Sequence, residues 1–220
     1  KNRVEIIVNG GLDVLGTASD TVRFLSNGES PASGDWYGIR YQNYPAGNVS
    51  YARFDHATQA IKYDNNIDYS NSNQYSDTLS VRHNKIMNSG SAIYVQSTRV
   101  NVRIDSNYYE GSGYFVQDQY NYNSSSNLFH RIRGNTSKGG QIYIYFNQSN
   151  ADDNYEMTYD IANNILDRSI YLYMLDNALI TGNKLVMSQN SYGVEANELA
   201  KSTIKNNQLT GYNFNYTGIS

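Results

Sequence analysis

One six-residue pattern recurs along the chain: an apolar residue, two variable residues, Asn, one variable residue, then an apolar residue or Tyr. It reads Val81-Arg82-His83-Asn84-Lys85-Ile86, then Ile104-Asp105-Ser106-Asn107-Tyr108-Tyr109, then Ile161-Ala162-Asn163-Asn164-Ile165-Leu166. It returns as Ile180-Thr181-Gly182-Asn183-Lys184-Leu185 and Ile204-Lys205-Asn206-Asn207-Gln208-Leu209. Ile132-Arg133-Gly134-Asn135 is a weaker copy with Ser137 in the last position, and the stretch from Val49 to Phe54 carries Ala52 where Asn is expected. Successive copies of the Asn lie roughly 19 to 29 residues apart, the length of one solenoid coil.

A second block follows each copy after a few polar residues and alternates with period two, as a strand does. Its copies are Ile39-Arg40-Tyr41, Ile61-Lys62-Tyr63, Ile93-Tyr94-Val95, Tyr114-Phe115-Val116, Ile142-Tyr143-Ile144, Ile170-Tyr171-Leu172, Tyr192-Gly193-Val194 and Phe214-Asn215-Tyr216. No helical pattern of useful length separates them. A single coil cannot bury its apolar side chains, but stacked coils place like over like, about 4.8 Å apart, and enclose a continuous core. The repeated amide then has a structural task. Asn84, Asn107, Asn135, Asn164, Asn183 and Asn207 are expected to bond to backbone groups and to one another as a ladder. Asn also tolerates the left-handed conformation that such turns need. The expected fold is an all-β, single-stranded parallel β-helix of roughly eight coils, right-handed by the general preference of parallel crossovers. Residues 1–220 read as a single domain of this kind.

These residues resemble the right-handed parallel β-helix superfamily that includes pectate lyases and many bacterial secreted and surface proteins. The opening adds to the resemblance, with Gly11-Leu12-Asp13-Val14-Leu15-Gly16-Thr17, Val22-Arg23-Phe24 and Trp36-Tyr37-Gly38-Ile39. The likeness covers nearly the whole chain and implies an architecture; it is nearly silent on activity, because this fold hosts many functions. Surface β-helix adhesins such as the tāpirins, which bind cellulose, fit by analogy alone. A β-helix needs covered ends. With no capping helix before Val4 and no polar cap after Ile219, the sequence predicts a longer parent chain or end-to-end contact with another chain, the alternative being loops folded over the ends.

Composition narrows the function classes. The net charge of −3 and the absence of a recognisable basic stripe argue against a nucleic-acid partner. No apolar run approaches the ~18 residues of a membrane helix, so no membrane insertion is expected. There are no cysteines, which excludes disulfides, thiolate metal sites and Cys nucleophiles. Few charges with abundant Asn, Ser, Thr, Gly and Tyr point to a secreted or cell-surface location.

With the inward positions assigned to the core, function falls to the outward ones. In the second block the central residue is expected to face out, giving Arg40, Lys62, Tyr94, Phe115, Tyr143, Tyr171, Gly193 and Asn215 in successive coils. Tyr94, Phe115, Tyr143 and Tyr171 would form a flat aromatic strip, with Tyr145 and Tyr173 beside it. Ring faces spaced by about one sugar unit suit an extended polysaccharide. Stacked aromatics also stabilise a β-ladder unaided, which is the structural alternative. Long segments at Asp64 to Asp77, Asp118 to Asn127 and Asn147 to Tyr155 leave the same corner, beside the strip.

Catalytic signals are sparse. Asp152 and Asp153 with Glu156 and Asp160 are the nearest carboxylate group, but a solvated acidic loop has the same pattern. Calcium is conceivable there without a recognisable ligand spacing, and no cofactor is expected. Arg82, Asp105 and Arg133 share one outward column and Arg103, Arg131 and Asp160 the next, an arrangement read as cross-strand pairs or as a catalytic or anion-binding patch. His83 and His130 are expected near that face. The sequence therefore predicts a non-catalytic, extracellular polysaccharide-binding or adhesion module. The alternatives are a fragment of a polysaccharide lyase, hydrolase or epimerase, and the structural shaft of a surface fibre.

Overall fold

The computed structural model describes residues 4–42, 47–64, 77–96, 100–120, 128–146, 157–175, 177–187 and 192–211. These residues form three parallel sheets of eight strands each. Every coil gives one strand to each sheet in the same order. One coil runs through Ser91–Gln96 in the first sheet, Val100–Asp105 in the second and Tyr108–Gly111 in the third. The next runs through Tyr114–Tyr120, Leu128–Arg133 and Thr136–Lys138. Each strand bonds to its counterparts one coil below and one coil above. The architecture is a parallel β-helix of eight coils. The six-residue pattern spans the turn between the second and third sheets, so each repeat holds three strands rather than two.

Like does stand over like. Ile39, Ile61 and Ile93 form one inward column, continued by Val116, Ile142, Ile170 and Val194. Val49, Val81, Ile104, Ile132, Ile161, Ile180 and Ile204 form another in the second sheet. Most of these side chains are fully buried, each contributing about 1.5–3 kcal/mol of transfer free energy. That gain exists only with a coil on either side, so it ties each coil's stability to its neighbours.

The Asn ladder is continuous from Asn84 to Asn207. Each Nδ2 donates to the next Asn Oδ1 at 2.9–3.1 Å, and each backbone N–H donates to the same oxygen at 2.8–3.0 Å. The second Nδ2 proton reaches a carbonyl in the coil below, as from Asn135 to Ile104 at 2.9 Å. In Asn107, Asn135, Asn164 and Asn183 both donors and both acceptor sites of the amide are used, which removes the usual cost of burying it. At the lower end the Ala52 N–H donates to Asn84 Oδ1 at 2.8 Å, so the missing Asn at that coil ends the ladder without orphaning it. The left-handed conformation falls one residue before each ladder position. Tyr51, His83, Ser106, Gly134, Asn163, Gly182 and Asn206 all have φ between 49° and 65°.

The fifth coil departs from the expected register. A bulge between Tyr114 and Val116 leaves Phe115 without a partner in the neighbouring strand, and Phe115 and Val116 both point inward. Tyr109 explains the crowding. Its hydroxyl donates towards the carbonyls of Ser89 and Gly90 at 3.1 and 3.0 Å, and its ring centroid lies 6.2 Å from that of Phe115. Space for two rings comes from small neighbours: Ser137 stands above Tyr109, and a Cβ on Gly140 would meet the Tyr109 ring at 2.4 Å. After the bulge, Asp118 takes the inward place held by Val95 below and Ile144 above.

Candidate functional site

The outward face of the first sheet changes character from coil to coil. The column reads Arg40, Lys62, Tyr94, Gln117, Tyr143, Tyr171 and Glu195. Phe115, expected in this row, is fully buried; the bulge moves Gln117 into its place. Gly193 precedes the column in its coil, and Asn215 lies outside the described residues. The neighbouring column holds Gln119, Tyr145, Tyr173 and Asn197.

Tyr143, Tyr145, Tyr171 and Tyr173 form a two-by-two block. Tyr143 and Tyr171 have ring centroids 4.8 Å apart and planes within 7°. Tyr145 and Tyr173 match them at 4.9 Å and 6°, and Tyr143 and Tyr145 lie side by side at 6.3 Å and 6°. Parallel rings whose centres are under 5 Å apart overlap, because coplanar rings at that distance would collide. The rings therefore cover one another's faces between rungs and turn edges and hydroxyls to solvent. Tyr114 leans on Tyr143 at 5.4 Å and 57°. Burial and the neighbouring phenols raise the Tyr143 hydroxyl above its ordinary pKa; burial and Glu195 do so at Tyr171, and the Glu198 charge followed by burial at Tyr173. These hydroxyls remain neutral donors around neutral pH.

Tyr94 is set apart from the block by the Gln117 rung. Its hydroxyl donates to Gln96 at 3.0 Å, and Lys62 Nζ lies 5.3 Å from its ring centre. Below it the face is ionic: Lys62 pairs with Asp64 at 2.8 Å, and Arg40 with Glu5 at 3.0 Å. Tyr94 is fixed by these contacts rather than joined to a continuous strip.

On the second sheet the charged columns form as read, and diagonal pairs absorb four of the charges. Arg131 holds Asp105 through two nitrogens, and Arg133 holds Asp160. Asp152, Asp153 and Glu156 lie outside the described residues, as do most of the three long segments at the corner after the first sheet. His130, expected near the surface, is fully buried. Its Nδ1 lies 2.7 Å from Asp118 Oδ2 and its Nε2 3.0 Å from the Val100 carbonyl, while the Tyr159 hydroxyl reaches the same Asp118 oxygen at 3.3 Å. A shallow groove of about 420 Å³ runs beside Ala32, His56, Asn88 and Glu110, with Glu110 already engaged by the Tyr108 hydroxyl.

Comparison with protein-family models, with curated protein sequences and with solved structures finds no match to the chain.

Proposed function

We propose that the chain is a non-catalytic module that holds an extended polysaccharide outside the cell, in adhesion or attachment. The observation that carries this reading is the outward block of Tyr143, Tyr145, Tyr171 and Tyr173, flanked by the amides of Gln117 and Gln119. A polysaccharide running along the solenoid axis would meet a pair of phenol hydroxyls on each of two rungs and a pair of amides on the rung below. The contact would be through ring edges and hydrogen bonds rather than a row of open ring faces. Such groups recognise neutral sugar hydroxyls without needing a charge. Membership of the superfamily that includes pectate lyases belongs to the same proposal, and rests on the repeat and the parallel coils.

The face-to-face overlap of the rings favours a second reading, in which the block is a stabilising ladder worth about 0.5–1.5 kcal/mol for each stacked pair. Sedimentation with cellulose and a panel of other insoluble polysaccharides separates the two. Wild type should pellet with at least one of them, and Tyr143→Ala with Tyr171→Ala should stay in the supernatant while keeping its β-sheet circular dichroism. A wild type that pellets with none, or a double variant that pellets equally, would leave only the ladder.

A further inference from the structure

We propose that the edge between the second and third sheets, over the first four coils, binds oxyanion groups carried on a polysaccharide chain. The fold assembles there a group of cations that the linear sequence scatters. On the third sheet Arg23, Arg53 and Lys85 stand directly over one another, and Tyr108 follows on the next rung. Like charges directly opposite one another in a sheet repel. Across the turn, Arg82 sits three residues before Lys85, and Arg103 lies on the next rung of the second sheet, over Ser80 in the adjacent outward column. The turn itself carries the stacked rings of Tyr51 and His83, 4.9 Å apart and within 14° of parallel.

Acidic groups do not balance this edge. Asp55 is buried and paired with Arg53 at 2.7 Å. Asp105, the register neighbour of Arg82, has both oxygens engaged by Arg131. Glu110 accepts the Tyr108 hydroxyl. Among the described residues, Arg23, Arg82, Lys85 and Arg103 are exposed and none has a carboxylate partner. A chain with a net charge of −3 thus gathers near one edge four cations without a carboxylate partner, Lys85 lying 5.7 Å from the Tyr108 ring centre. The interleaved carboxylates suit a polymer whose charges are spaced by sugar rings better than a continuous phosphate backbone. This edge lies away from the tyrosine block and does not depend on it.

The test is retention of the whole chain on immobilised heparin, which carries sulfates, and polygalacturonate, which carries carboxylates, with neutral dextran and duplex DNA alongside. The protein should bind one or both acidic polysaccharides, ignore dextran, and be released as salt rises. Arg82→Gln, Lys85→Gln and Arg103→Gln together should weaken binding about tenfold. Lys184→Gln with Lys205→Gln, and Tyr143→Ala with Tyr171→Ala, should leave it unchanged. Heparin alone would assign sulfate esters, and polygalacturonate alone uronates. No retention on either, equal retention of the triple variant with unchanged circular dichroism, or equally tight binding to DNA would overturn the proposal.

Discussion

The buried Asp118–His130 contact offers a sharp energetic test, because the neighbouring coils show what the same places hold when they are apolar. Asp118 stands between Val95 and Ile144, and His130 between Val102 and Tyr159. The Val100 carbonyl can only accept, so His130 Nε2 carries a proton; a further proton is shared between Nδ1 and the carboxyl, 2.7 Å apart. The pair is thus neutral as a whole and depends on both members. Asp118→Val alone leaves a buried ring nitrogen without its partner, and His130→Leu alone leaves a buried carboxyl with the Tyr159 hydroxyl. Each single change should cost about 3–5 kcal/mol. The double variant puts apolar side chains in both places and loses the bonds to the Val100 carbonyl and from the Tyr159 hydroxyl, so its cost should be about 1–3 kcal/mol. The singles sum to about 6–10 kcal/mol, giving a coupling of several kcal/mol. Denaturant unfolding followed by circular dichroism and by Trp36 fluorescence measures all four corners of the cycle. A double variant as unstable as the sum of the singles would refute the argument.

Three further outcomes follow from the same structure. Asn135→Ala removes the acceptor of the Asn107 N–H and Nδ2, and the donor to the Ile104 carbonyl and Asn164 Oδ1. Several buried groups lose partners worth about 1–3 kcal/mol each, so equilibrium unfolding should show one of the largest losses for a change of this size. Burial raises the phenols of Tyr41 and Tyr109 above their ordinary value of about 10. Their contribution is complete below that value and is lost as pH rises beyond it, so stability should begin to fall above about pH 10. Ultraviolet titration should show these phenols ionising only as the protein unfolds, with Tyr41→Phe easing the alkaline loss. Gly38 has φ 105°, and a Cβ there would meet the Gln59 carbonyl at 1.8 Å. Gly38→Ala should therefore lower the thermal midpoint markedly, whereas Gly10→Ala, with nothing within 4 Å, should not.

The coils were legible in the sequence because most repeat one small set of inward side chains around an Asn at the same turn, from Asn84 to Asn207. The register of the first sheet was legible wherever apolar and polar residues alternate, as in Ile142-Tyr143-Ile144 and Ile170-Tyr171-Leu172. It was hidden at Tyr114-Phe115-Val116, where three bulky residues in a row carry no parity, and a bulge decides which face each takes. The alternation Gln117-Asp118-Gln119 just beyond it held the true phase, with the carboxylate inward, a choice that sequence alone penalises. His130 was misplaced for the same reason: a buried imidazole reads as a surface residue until Asp118 and Val100 are seen beside it. The orientation of the tyrosine rings was not legible at all, because their overlap depends on side-chain torsions rather than on spacing.

Every placement on an outward face, the tyrosine block and the basic edge alike, depends on the coils being stacked in one register by the asparagines. Hydrogen exchange of asparagine side-chain amides, read by NMR on protein labelled with nitrogen-15 at Asn, measures that directly. Both Nδ2 protons of Asn107, Asn135, Asn164 and Asn183 should exchange as slowly as the strand N–H groups around them, since each is held in a bond to a carbonyl or to the next ladder oxygen. Side-chain protons that exchange at the rate of a free, solvated amide at these four positions would contradict the ladder and the register built on it.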